Sequence, residues 1–510
     1  MPRYAAIDIG SNSLRMLAAE AAPGAPLKIL GSDRVVTRLG ESVFRTGRVS
    51  PEAMETVGRA LQMMAQQYKR LDVAGVRAVA TSAIRDAGNQ HEFLFRASQA
   101  IGAPVEIISG QEESRLIHLG VQSRWPHSKQ SMLLIDIGGG SAETIYSENG
   151  RLQEAFSKPL GAVRLAQLFI RSDPPTPGEL NRMEQYIEEK LAPVVERFHG
   201  KKWDRAVVTS GTAAAVVCTI NRVGRAKIDQ ADQLRASTAQ VRRLYEELCR
   251  EDLAGRRRHT GIGPKRAEII IPGAACLLRI MQDFDLPSVY YSAAGLRDGI
   301  IADLAARGVG MEPSGLDREQ QRVVEAMARR YGVSLAHARQ VAGLAASLFR
   351  ALEPLHGLPP HFGRLLEAAA YLHDIGHFVS DTRHHRHSYY LVANSDMPGF
   401  TDRERTLVAN LCRYHRKAMP EVEHDNLDPL NTQERRAVLF LTPLLRLADN
   451  LDRSHEQRIG SVECAIRNGQ VQIKLGAKSD IDLEQWAAER ATDAFRQVYG
   501  KPLVMTKARM

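Results

Sequence analysis

Two copies of one short segment, Ile-Asp-Ile-Gly, begin at residues 7 and 135, so that Asp8 and Asp136 lie 128 positions apart. Each copy follows apolar residues and continues with two small residues and a serine. An apolar run of this kind predicts a buried strand, and the glycine after it predicts a tight turn. Because the same strand and turn occur twice, we expect a duplicated fold in which one loop from each half faces a common cleft.

The residues of these turns suit a phosphate group and a metal ion. Backbone N–H groups in a glycine-rich turn can approach an anion closely, and an aspartate at a strand end can hold a divalent cation directly or through water. A single glycine run is more often a plain turn. The second copy favours a functional site, because each half would present one loop to the same phosphate chain.

Length, charge and cysteine content limit the class of protein. A chain of 510 residues predicts several domains, because single cores stop growing at about 250–300 residues. The net charge of +9 favours a polyanionic partner such as a phosphate chain, a nucleic acid or an anionic membrane surface. Five scattered cysteines without CxxC spacing are typical of free thiols in a reducing cytosol.

No stretch of the sequence predicts a membrane helix. The uncharged stretch 206–220 is shorter than the roughly 20 residues that a span requires. We therefore expect a cytoplasmic protein with no integral membrane segment, and we leave peripheral association with a membrane open.

The pattern of elements predicts two α/β domains, an all-α domain and a small C-terminal α+β domain, at residues 1–125, 126–307, 316–455 and 456–510 respectively. Three glycines and a proline among residues 308–315 predict a linker before the helical part. Alternating apolar residues on both sides of Asn468-Gly469 predict a β-hairpin. A single helix is expected from Leu483 to Tyr499.

Further acidic residues can join the two aspartates. Glu143 ends the second turn, and Glu112 and Glu113 begin a predicted helix. Clustered carboxylates suit Mg²⁺, and a carboxylate that is not bound to the metal can take a proton from an attacking water. Such a set would hydrolyse phosphoanhydrides by positioning and electrostatics. The alternative for the two glutamates is a solvated helix start, where acids favour the helix dipole.

Two turns and a basic run are further candidates for contacts with an anion. Arg85 follows a predicted strand and can bind phosphate oxygens through its forked guanidinium, although a lone surface arginine is the commoner explanation. The turn Ser210-Gly211-Thr212 can offer hydroxyl and N–H groups, or it can simply begin a helix. The basic run 256–259, with Lys265 and Arg266, is a candidate polyanion track, and a solvated basic loop is the commoner explanation.

A different set of side chains occurs in the predicted helical domain. His337, the pair His373-Asp374 and the distant Asp449 follow the order of the ligands in HD-domain metallohydrolases. This order predicts an HD-type fold with one metal ion. The alternative is a domain that keeps the helices without a metal, since a histidine on an apolar face is more often part of the core. Further histidines cluster in the same region, at positions 384, 385, 387 and 415.

Taken in order, the motifs resemble those of the exopolyphosphatase/guanosine pentaphosphate phosphatase (Ppx/GppA) family over nearly the whole chain. The matching segments are 8–13, 81–85, 109–116, 136–143, 210–212, 295–299, 387–400 and 413–417. The resemblance implies two actin/Hsp70-like (ribonuclease H-like) α/β domains followed by an all-α HD-type domain. It also implies release of terminal orthophosphate from inorganic polyphosphate by a homodimer, with Mg²⁺ or Mn²⁺ and often K⁺.

The resemblance also implies roles for individual residues. Glu113 matches the catalytic base, and Asp136 and Glu143 match acids that organise metal and water, with Asp8 as a further Mg²⁺ ligand. Phosphate contacts are implied for the loop and turn residues Ser11, Asn12, Ser13, Arg85, Gly138, Gly139, Gly140, Ser141, Ser210, Gly211 and Thr212. Several family members have lost the acid of the His-Asp pair. Its presence here leaves open whether the helical domain binds a second metal at His337, His373, Asp374 and Asp449 or only binds polyphosphate.

Three other functions stay open. Hydrolysis of guanosine pentaphosphate uses the same chemistry, so the motifs do not separate the two substrates, and guanosine tetraphosphate is a further candidate ligand. A sugar or acetate kinase of the same fold would need an adenosine pocket, and residues 213–217 offer no obvious polar contact to a nucleoside. A non-catalytic polyphosphate or alarmone sensor is the third alternative, against which the retained acids argue. No nucleic acid partner is expected.

Overall fold

The computed structural model describes residues 1–126, 129–224, 227, 232–307, 315–421, 423–467, 469–477 and 479–509. The chain divides into two compact units, Met1–Val309 and Gly310–Met510. The predicted linker lies outside the described residues except for Gly315, and so does Asn468 of the predicted hairpin turn. The finer division into four domains stays a prediction.

The first unit contains two mixed sheets. The strands of the first sheet are β1 (Arg3–Ile9), β2 (Ser13–Glu20), β3 (Lys28–Val36), β4 (Gly75–Ala80) and β5 (Val105–Ile107). Those of the second sheet are β6 (Ser131–Ile137), β7 (Ala142–Glu148), β8 (Arg151–Lys158), β9 (Arg205–Thr209), β10 (Arg235–Ser237) and β11 (Ser288–Tyr291). The strand orders are β3-β2-β1-β4-β5 and β10-β11-β9-β6-β7-β8.

The two sheets share one topology. β1 pairs antiparallel with β2 and parallel with β4, and β6 pairs in the same way with β7 and β9. β3 and β8 extend the two meanders, while β5 and β11 lie in parallel beyond β4 and β9. The predicted duplication is therefore confirmed, and β10 is an added antiparallel edge strand of the second sheet.

The helices of the first unit are α1 (Leu39–Thr46), α2 (Pro51–Arg70), α3 (Ser82–Asp86), α4 (Gln90–Ile101), α5 (Gly110–Arg124), α6 (Ala162–Phe169), α7 (Pro177–Phe198), α8 (Ser210–Ile220), α9 (Thr238–Arg250), α10 (Leu253–Arg256), α11 (Ile270–Asp283) and α12 (Leu296–Arg307). One hydrophobic core joins Ala6 of β1 and Leu134 of β6 to Leu116 of α5 and Ile300 of α12. Because α5 and α12 share this core with both sheets, they fix the two halves of the cleft relative to each other.

The close packing of α5 on α12 depends on a glycine. A Cβ atom on Gly299 of α12 would overlap the carbonyl oxygen of Leu116 on α5. No side chain larger than hydrogen fits there. The helix that carries Glu113 is therefore held against its neighbour at backbone contact distance.

The second unit begins with the helices α13 (Arg318–Arg330), α14 (Leu335–Ala351), α15 (Glu353–His356), α16 (His361–Leu372), α17 (His384–Ala393), α18 (Asp402–Tyr414) and α19 (Thr432–Asn450). Then follow β12 (Ile459–Arg467), β13 (Gln470–Ala477), α20 (Asp482–Glu489), α21 (Thr492–Tyr499) and β14 (Leu503–Arg509). The predicted hairpin is confirmed, since β12 and β13 pair antiparallel, and β14 adds parallel to β13. Leu445 of α19, Ile473 of β13 and Phe495 of α21 belong to one hydrophobic core.

The single helix predicted from Leu483 to Tyr499 is wrong, because the segment forms α20 and α21. The N–H groups of Arg490 and Ala491 donate to carbonyls only three residues back. This tightening ends the regular hydrogen-bond ladder of the α-helix, and it turns Phe495 into the core.

The structure also bears on the expectations about membrane helices and cysteines. Within these ranges, no helix combines the length and the apolar character needed to cross a membrane. The five cysteines are free thiols, and three of them, Cys218, Cys276 and Cys412, are buried.

Candidate functional site

The two Asp-containing loops are the same turn. In the first loop the Gly10 N–H donates to the Ser13 carbonyl at 3.2 Å, and in the second the Gly138 N–H donates to the Ser141 carbonyl at 3.0 Å. Each turn joins the two strands of an antiparallel hairpin, β1–β2 or β6–β7. The sequence repeat is therefore also a repeat of backbone geometry.

The two loops contact each other. A Cβ atom on Gly139 would lie 3.1 Å from the backbone nitrogen of Asn12, and one on Gly140 would lie 2.5 Å from Ser11 Oγ. The buried Ser11 Oγ has no hydrogen-bond partner among the residues that the structure describes. An unpaired buried hydroxyl between two glycine turns is available to an oxygen of a ligand.

The buried carboxylates of Glu113, Asp136 and Glu143 share this cleft with the half-buried Asp8. The pKa of Asp136 is raised to about 7 by burial and by the nearby Glu113, and that of Glu143 is raised to about 7 by burial and by the nearby Asp136. Burial also raises the pKa of Glu113 well above its usual value, with added repulsion from Glu143 and Asp8. The acids repel one another, so a cation bound among them would relieve the repulsion.

The three predicted Mg²⁺ ligands are not gathered around one point. Asp8, Asp136 and Glu143 are not among the groups of three or more ligand atoms that lie within 4.8 Å of one another in the described ranges. Direct coordination of one ion by all three carboxylates does not fit this arrangement. Coordination partly through water does fit, because Mg²⁺ commonly keeps several of its waters.

Hydroxyl groups orient Glu143. Its Oε1 accepts a hydrogen bond from Ser157 Oγ at 2.7 Å, and the Ser141 side chain also hydrogen-bonds to this carboxylate. Ser157 lies on β8, next to β7, and the sequence motifs did not indicate it. Ser141, predicted to contact phosphate, hydrogen-bonds to this carboxylate, and its contact with phosphate stays a prediction.

Glu113 lies in the first turn of α5, which Ser109 caps. Its Oε2 is 3.4 Å from Nη1 of Arg85, and the same Nη1 donates to the Ile108 carbonyl at 2.5 Å. Arg85, predicted to contact phosphate, is thus an ion-pair partner of the predicted base. This pair restrains the carboxylate beside the other acids of the cleft.

The adjacent Glu112 has a different environment. It accepts hydrogen bonds from Arg115 at 2.7 Å and from Arg77 at 3.2 Å, and both arginines also bind Asp303 on α12. Glu112 and Glu113 are both buried, so the alternative of a solvated helix start is wrong. Glu112 anchors α5, whereas Glu113 faces the acids of the cleft.

Two arginines add positive charge to the cleft. Arg15 lies directly across the first hairpin from Asp8, at the position that Glu143 holds in the second hairpin. A Cβ atom on Gly211 would overlap Nη2 of Arg266 and lie 3.1 Å from Nη2 of Arg15. Burial and the neighbouring Arg34 and Arg15 lower the pKa of Arg266 to about 9. These guanidinium groups repel one another, so an anion bound between them would relieve the repulsion.

Aligning the two sequence copies would have indicated Arg15. No local signal separates Arg266 from the other basic residues of its loop. In the described residues, no carboxylate lies within ion-pair distance of Arg266, and its hydrogen bond goes to Thr212 Oγ1 at 3.4 Å.

The turn at the start of α8 uses its hydroxyl groups within the protein. Ser210 Oγ donates to the Ile137 carbonyl at 2.7 Å, and Thr212 is fully buried beneath Arg266. Ser210 has a φ of 80°, which is unusual for a residue other than glycine. The backbone N–H groups, rather than the hydroxyls, are therefore the groups of this turn that suit an anion.

Three members of the basic run 256–259, part of the candidate polyanion track, have carboxylate partners. Arg256 pairs with Asp173 at 2.5 Å, Arg257 pairs with Glu268 at 3.2 Å, and His259 lies 2.8 Å from Glu251. These carboxylates neutralise much of the run.

The four predicted metal ligands of the second unit converge. Ligand atoms of His337, His373, Asp374 and Asp449 all lie within 4.8 Å of one another. Asp449 Oδ1 is 3.5 Å from Nε2 of His337 and 3.4 Å from Nε2 of His373. Both Nε2 atoms are buried and have no hydrogen-bond partner in the described part of the chain. The donor set suits a transition metal or zinc ion.

Solved structures resemble part of this chain. A Ppx/GppA family member from Aquifex aeolicus is 28% identical, with 59% of this chain and 96% of that chain covered and a TM-score of 0.52. An exopolyphosphatase-like protein is 27% identical, with 60% and 98% covered and a TM-score of 0.55. An exopolyphosphatase from Cytophaga hutchinsonii, 23% identical with 60% and 98% covered, has a similar fold at a TM-score of 0.55. The predicted actin-like pair of α/β domains is thereby confirmed.

Family models match both units. Residues 320–489 match domain III of the Ppx/GppA phosphatases, and residues 17–307 match the Ppx/GppA phosphatase family itself. The latter match spans more than half of the 510 residues. The chain therefore belongs to the Ppx/GppA phosphatase family.

Proposed function

We propose that the first unit hydrolyses the terminal phosphoanhydride bond of inorganic polyphosphate and releases orthophosphate. The observation that supports this most is the position of Glu113, buried among three other acids beside two contacting glycine turns. A family of phosphatases and a cleft with both acidic and basic groups support the same reaction. A phosphate chain and a divalent cation together complement this distribution of charge.

Asp8, Asp136 and Glu143 are the groups that would hold Mg²⁺ or Mn²⁺, partly through water. When bound, the ion would neutralise charge on the transferring phosphoryl group. A bound cation would lower the raised pKa values of Asp136 and Glu143. Both carboxyl groups would then be ionised, which makes them better ligands. K⁺ stays an expectation that comes from the resemblance alone.

The two turns and the arginines would hold the phosphates. The N–H groups of Gly139 and Gly140 and the unpaired hydroxyl of Ser11 suit the terminal group. Arg15 and Arg266 suit the next phosphate along the chain, because both guanidinium groups lie beside Gly211 and guanidinium binds phosphate oxygens strongly.

Glu113 would act as the general base. Its carboxylate takes a proton from a water molecule, and the oxygen of that water bonds to the terminal phosphorus. The bridging P–O bond breaks, and its oxygen stays on the shortened chain. Arg85 positions the carboxylate through the ion pair.

Guanosine pentaphosphate is the second candidate substrate, since its terminal phosphate is the same chemical group. A non-catalytic polyphosphate or alarmone sensor is the candidate of another class. Four carboxylates that repel one another, three of them buried, argue against the sensor, because phosphate binding alone does not need them. No nucleic acid is expected as a partner, and a cytoplasmic homodimer stays a prediction.

The test is a phosphate-release assay with the full chain. Long-chain polyphosphate and guanosine pentaphosphate are supplied separately and in competition, with and without Mg²⁺, and with the Asp136→Asn variant as control. We expect Mg²⁺-dependent release from polyphosphate that the variant lacks. Faster release from guanosine pentaphosphate in competition would favour the second candidate, and release from neither substrate would favour the sensor.

We also propose that the helical part of the second unit is of HD type. The convergence of His337, His373, Asp374 and Asp449 in the order typical of that fold supports this assignment.

A further inference from the structure

The first turn of α6 binds the carbonyl groups of the second glycine turn. The Gly138 carbonyl accepts a hydrogen bond from the N–H of Ala162 at 3.0 Å. The Gly139 carbonyl accepts from the N–H of Arg164 at 3.1 Å. In a trans peptide the carbonyl and the N–H of the next residue point in opposite directions. The N–H groups of Gly139 and Gly140 therefore point away from α6, which leaves them to an anion in the cleft.

The third carbonyl of this turn depends on a side chain. The Gly140 carbonyl accepts a hydrogen bond from Nε of Arg164 at 2.7 Å. In the first loop the equivalent carbonyl, that of Asn12, accepts from the backbone N–H groups of Thr37 and Arg38, each at 3.2 Å. The second turn thus uses one guanidinium where the first loop uses two backbone donors.

The same guanidinium reaches the other half of the cleft. Its Nη2 donates to Ser82 Oγ at 2.9 Å and to Asp86 Oδ2 at 2.5 Å, both on α3. Its Cζ lies 4.0 Å from the centre of the Phe44 ring on α1, which is a cation–π contact. The side chain of Arg164 is only 15% exposed, so these contacts are largely shielded from water. Arg164 therefore connects α6 to two helices of the first half.

The helix α3 also positions the proposed general base. Arg85 lies between Ser82 and Asp86 on this helix and forms the ion pair with Glu113. Two residues of α3 thus bind Arg164, and a third binds the carboxylate that would activate water. The distance between the glycine turn and Glu113 is consequently set through Arg164 and α3.

We propose that Arg164 is a positioning residue for the phosphate-release reaction. By binding the Gly140 carbonyl and α3 together, it fixes the separation between the N–H groups that would hold the terminal phosphate and the carboxylate of Glu113. Both Nε and Nη2 of Arg164 donate to protein acceptors, so we assign it no contact with substrate. This inference rests on the function proposed for the first unit.

Removal of this guanidinium should affect the site more than the fold. The hydrophobic core that joins α5 and α12 to both sheets does not include Arg164. A separate ion pair, between Arg38 Nη2 and Glu268 Oε2 at 2.7 Å, also links the two halves. Arg164→Met keeps an apolar stem beside Phe44 and removes every hydrogen-bond donor of the side chain.

Steady-state kinetics of the full chain with long-chain polyphosphate and Mg²⁺ is the first test. We expect Arg164→Met to lower kcat by about 10- to 100-fold, because misplacement by about 1 Å has costs up to that size. KM should change by no more than about threefold, because the contacts that bind the rest of the polymer are unchanged. Arg171→Met, at an exposed arginine just after α6, is the matched control and should keep both constants.

Two kinetic outcomes would overturn the positioning role. A tenfold rise in KM with unchanged kcat would show that Arg164 contacts the substrate instead. Thermal unfolding gives the folded fraction of each variant at the assay temperature. A loss of kcat that merely matches a loss of folded protein would leave Arg164 a structural role alone.

Asp86→Asn tests the connection from the other half of the cleft. The Asp86 side chain is 42% exposed, so this variant should fold even if Arg164→Met does not. We expect Asp86→Asn to lower kcat, and the double variant to lie within about twofold of Arg164→Met, because residues that act as one unit are not additive. Losses that multiply in the double variant, or full kcat in Asp86→Asn, would overturn the connection.

Hydrogen–deuterium exchange without substrate tests the connection independently of activity. Peptides that cover residues 137–141 and 161–165 contain the N–H groups bonded within or to the glycine turn. We expect exchange in both peptides to be at least about threefold faster in Arg164→Met and in Asp86→Asn than in the unsubstituted protein or Arg171→Met. Unchanged exchange in both variants would overturn the proposal.

The two kinds of failure are distinguishable. Release of orthophosphate by the unsubstituted protein from neither polyphosphate nor guanosine pentaphosphate would contradict the proposed function. The exchange measurement would then decide by itself whether Arg164 connects the turn to α3. Release by the unsubstituted protein with full kcat in a folded Arg164→Met variant would overturn the positioning role and leave the proposed function intact.

Discussion

Arg15 and Glu143 occupy equivalent positions in two copies of one hairpin, directly across from Asp8 and Asp136 respectively. The first copy therefore adds a cation to the cleft where the second adds a carboxylate. This difference produces a site with a basic and an acidic part from one repeated turn. A phosphate chain accompanied by a divalent cation fits such a site, since each component neutralises one part.

We predict that Arg266→Gln weakens polyphosphate binding without weakening the fold. Loss of a charged hydrogen bond to phosphate costs about 1.5–3 kcal/mol, which corresponds to a rise of roughly tenfold or more in KM. The unfolding midpoint without substrate should stay or rise, because Arg266 and Arg15 repel each other. Steady-state kinetics and thermal unfolding measure the two effects. Arg59→Ala, on the exposed face of α2, is the matched control, and an equal rise in its KM would contradict the prediction.

We predict that Asp136→Asn stabilises the metal-free protein in neutral and alkaline solution. The pKa of Asp136 is about 7 in the folded protein and near 4 in the unfolded chain. As pH rises from about 4 to about 7, the unfolded chain releases its proton first, so the folded state loses stability. Removing the charge should recover up to about 4 kcal/mol near pH 8 and little near pH 4.

Chemical denaturation in the presence of a chelator at several pH values measures this gain. Added Mg²⁺ should stabilise the unsubstituted protein more than the variant. A variant that is less stable than the unsubstituted protein at pH 8 would contradict the account of repelling acids.

We predict that Gly140→Ala separates the two loops. Its Cβ atom would lie 2.5 Å from Ser11 Oγ, 2.6 Å from Ser82 Oγ and 2.8 Å from Phe44 Cζ, so the loops must move apart. Orthophosphate release should fall by about 100-fold, since misplacement by 1 Å has costs of that size. Gly58→Ala, which meets no atom within 4 Å on α2, is the control and should keep activity. Full activity in Gly140→Ala would mean that the contact between the loops is not required.

We predict that Asp303→Ala destabilises the first unit by about 3–5 kcal/mol. Arg77 and Arg115 would share Glu112, with Glu106 as a further partner of Arg77, and removing one partner of a buried charge network is costly. Equilibrium unfolding in denaturant measures the loss. Glu189→Ala removes an exposed ion pair with Lys190 and should change stability by less than about 1 kcal/mol. A similar small effect of Asp303→Ala would show that the network does not anchor α5.

Local sequence patterns were enough to predict much of the fold and part of the candidate site. The strand, glycine and serine of each repeat specify the turns through short-range hydrogen bonds, so the duplication was predictable from sequence. Helix starts such as Ser50 before Pro51 were predictable for the same reason. The break between α20 and α21 was not predictable, because no glycine or proline marks it in the sequence.

Contacts between distant segments could not be predicted. Ser157 reaches Glu143 only because β7 and β8 pair, and Arg266 reaches the cleft only because its loop folds over Gly211. Neighbouring glutamates look alike in a sequence, but the helix turns them to different partners, Glu112 to Arg115 and Glu113 to Arg85. His384 and His415 lie near Asp374 for the same reason.

The most direct test of the proposed reaction is the turnover of Glu113→Gln at saturating polyphosphate and Mg²⁺, together with its affinity for the polymer. Removal of a general base lowers rates by about 100- to 10,000-fold. We predict a kcat at least about 100-fold lower than that of the unsubstituted protein, with the dissociation constant for polyphosphate changed by no more than about threefold. Turnover within a few-fold of the unsubstituted protein would contradict the assignment of Glu113 as the base.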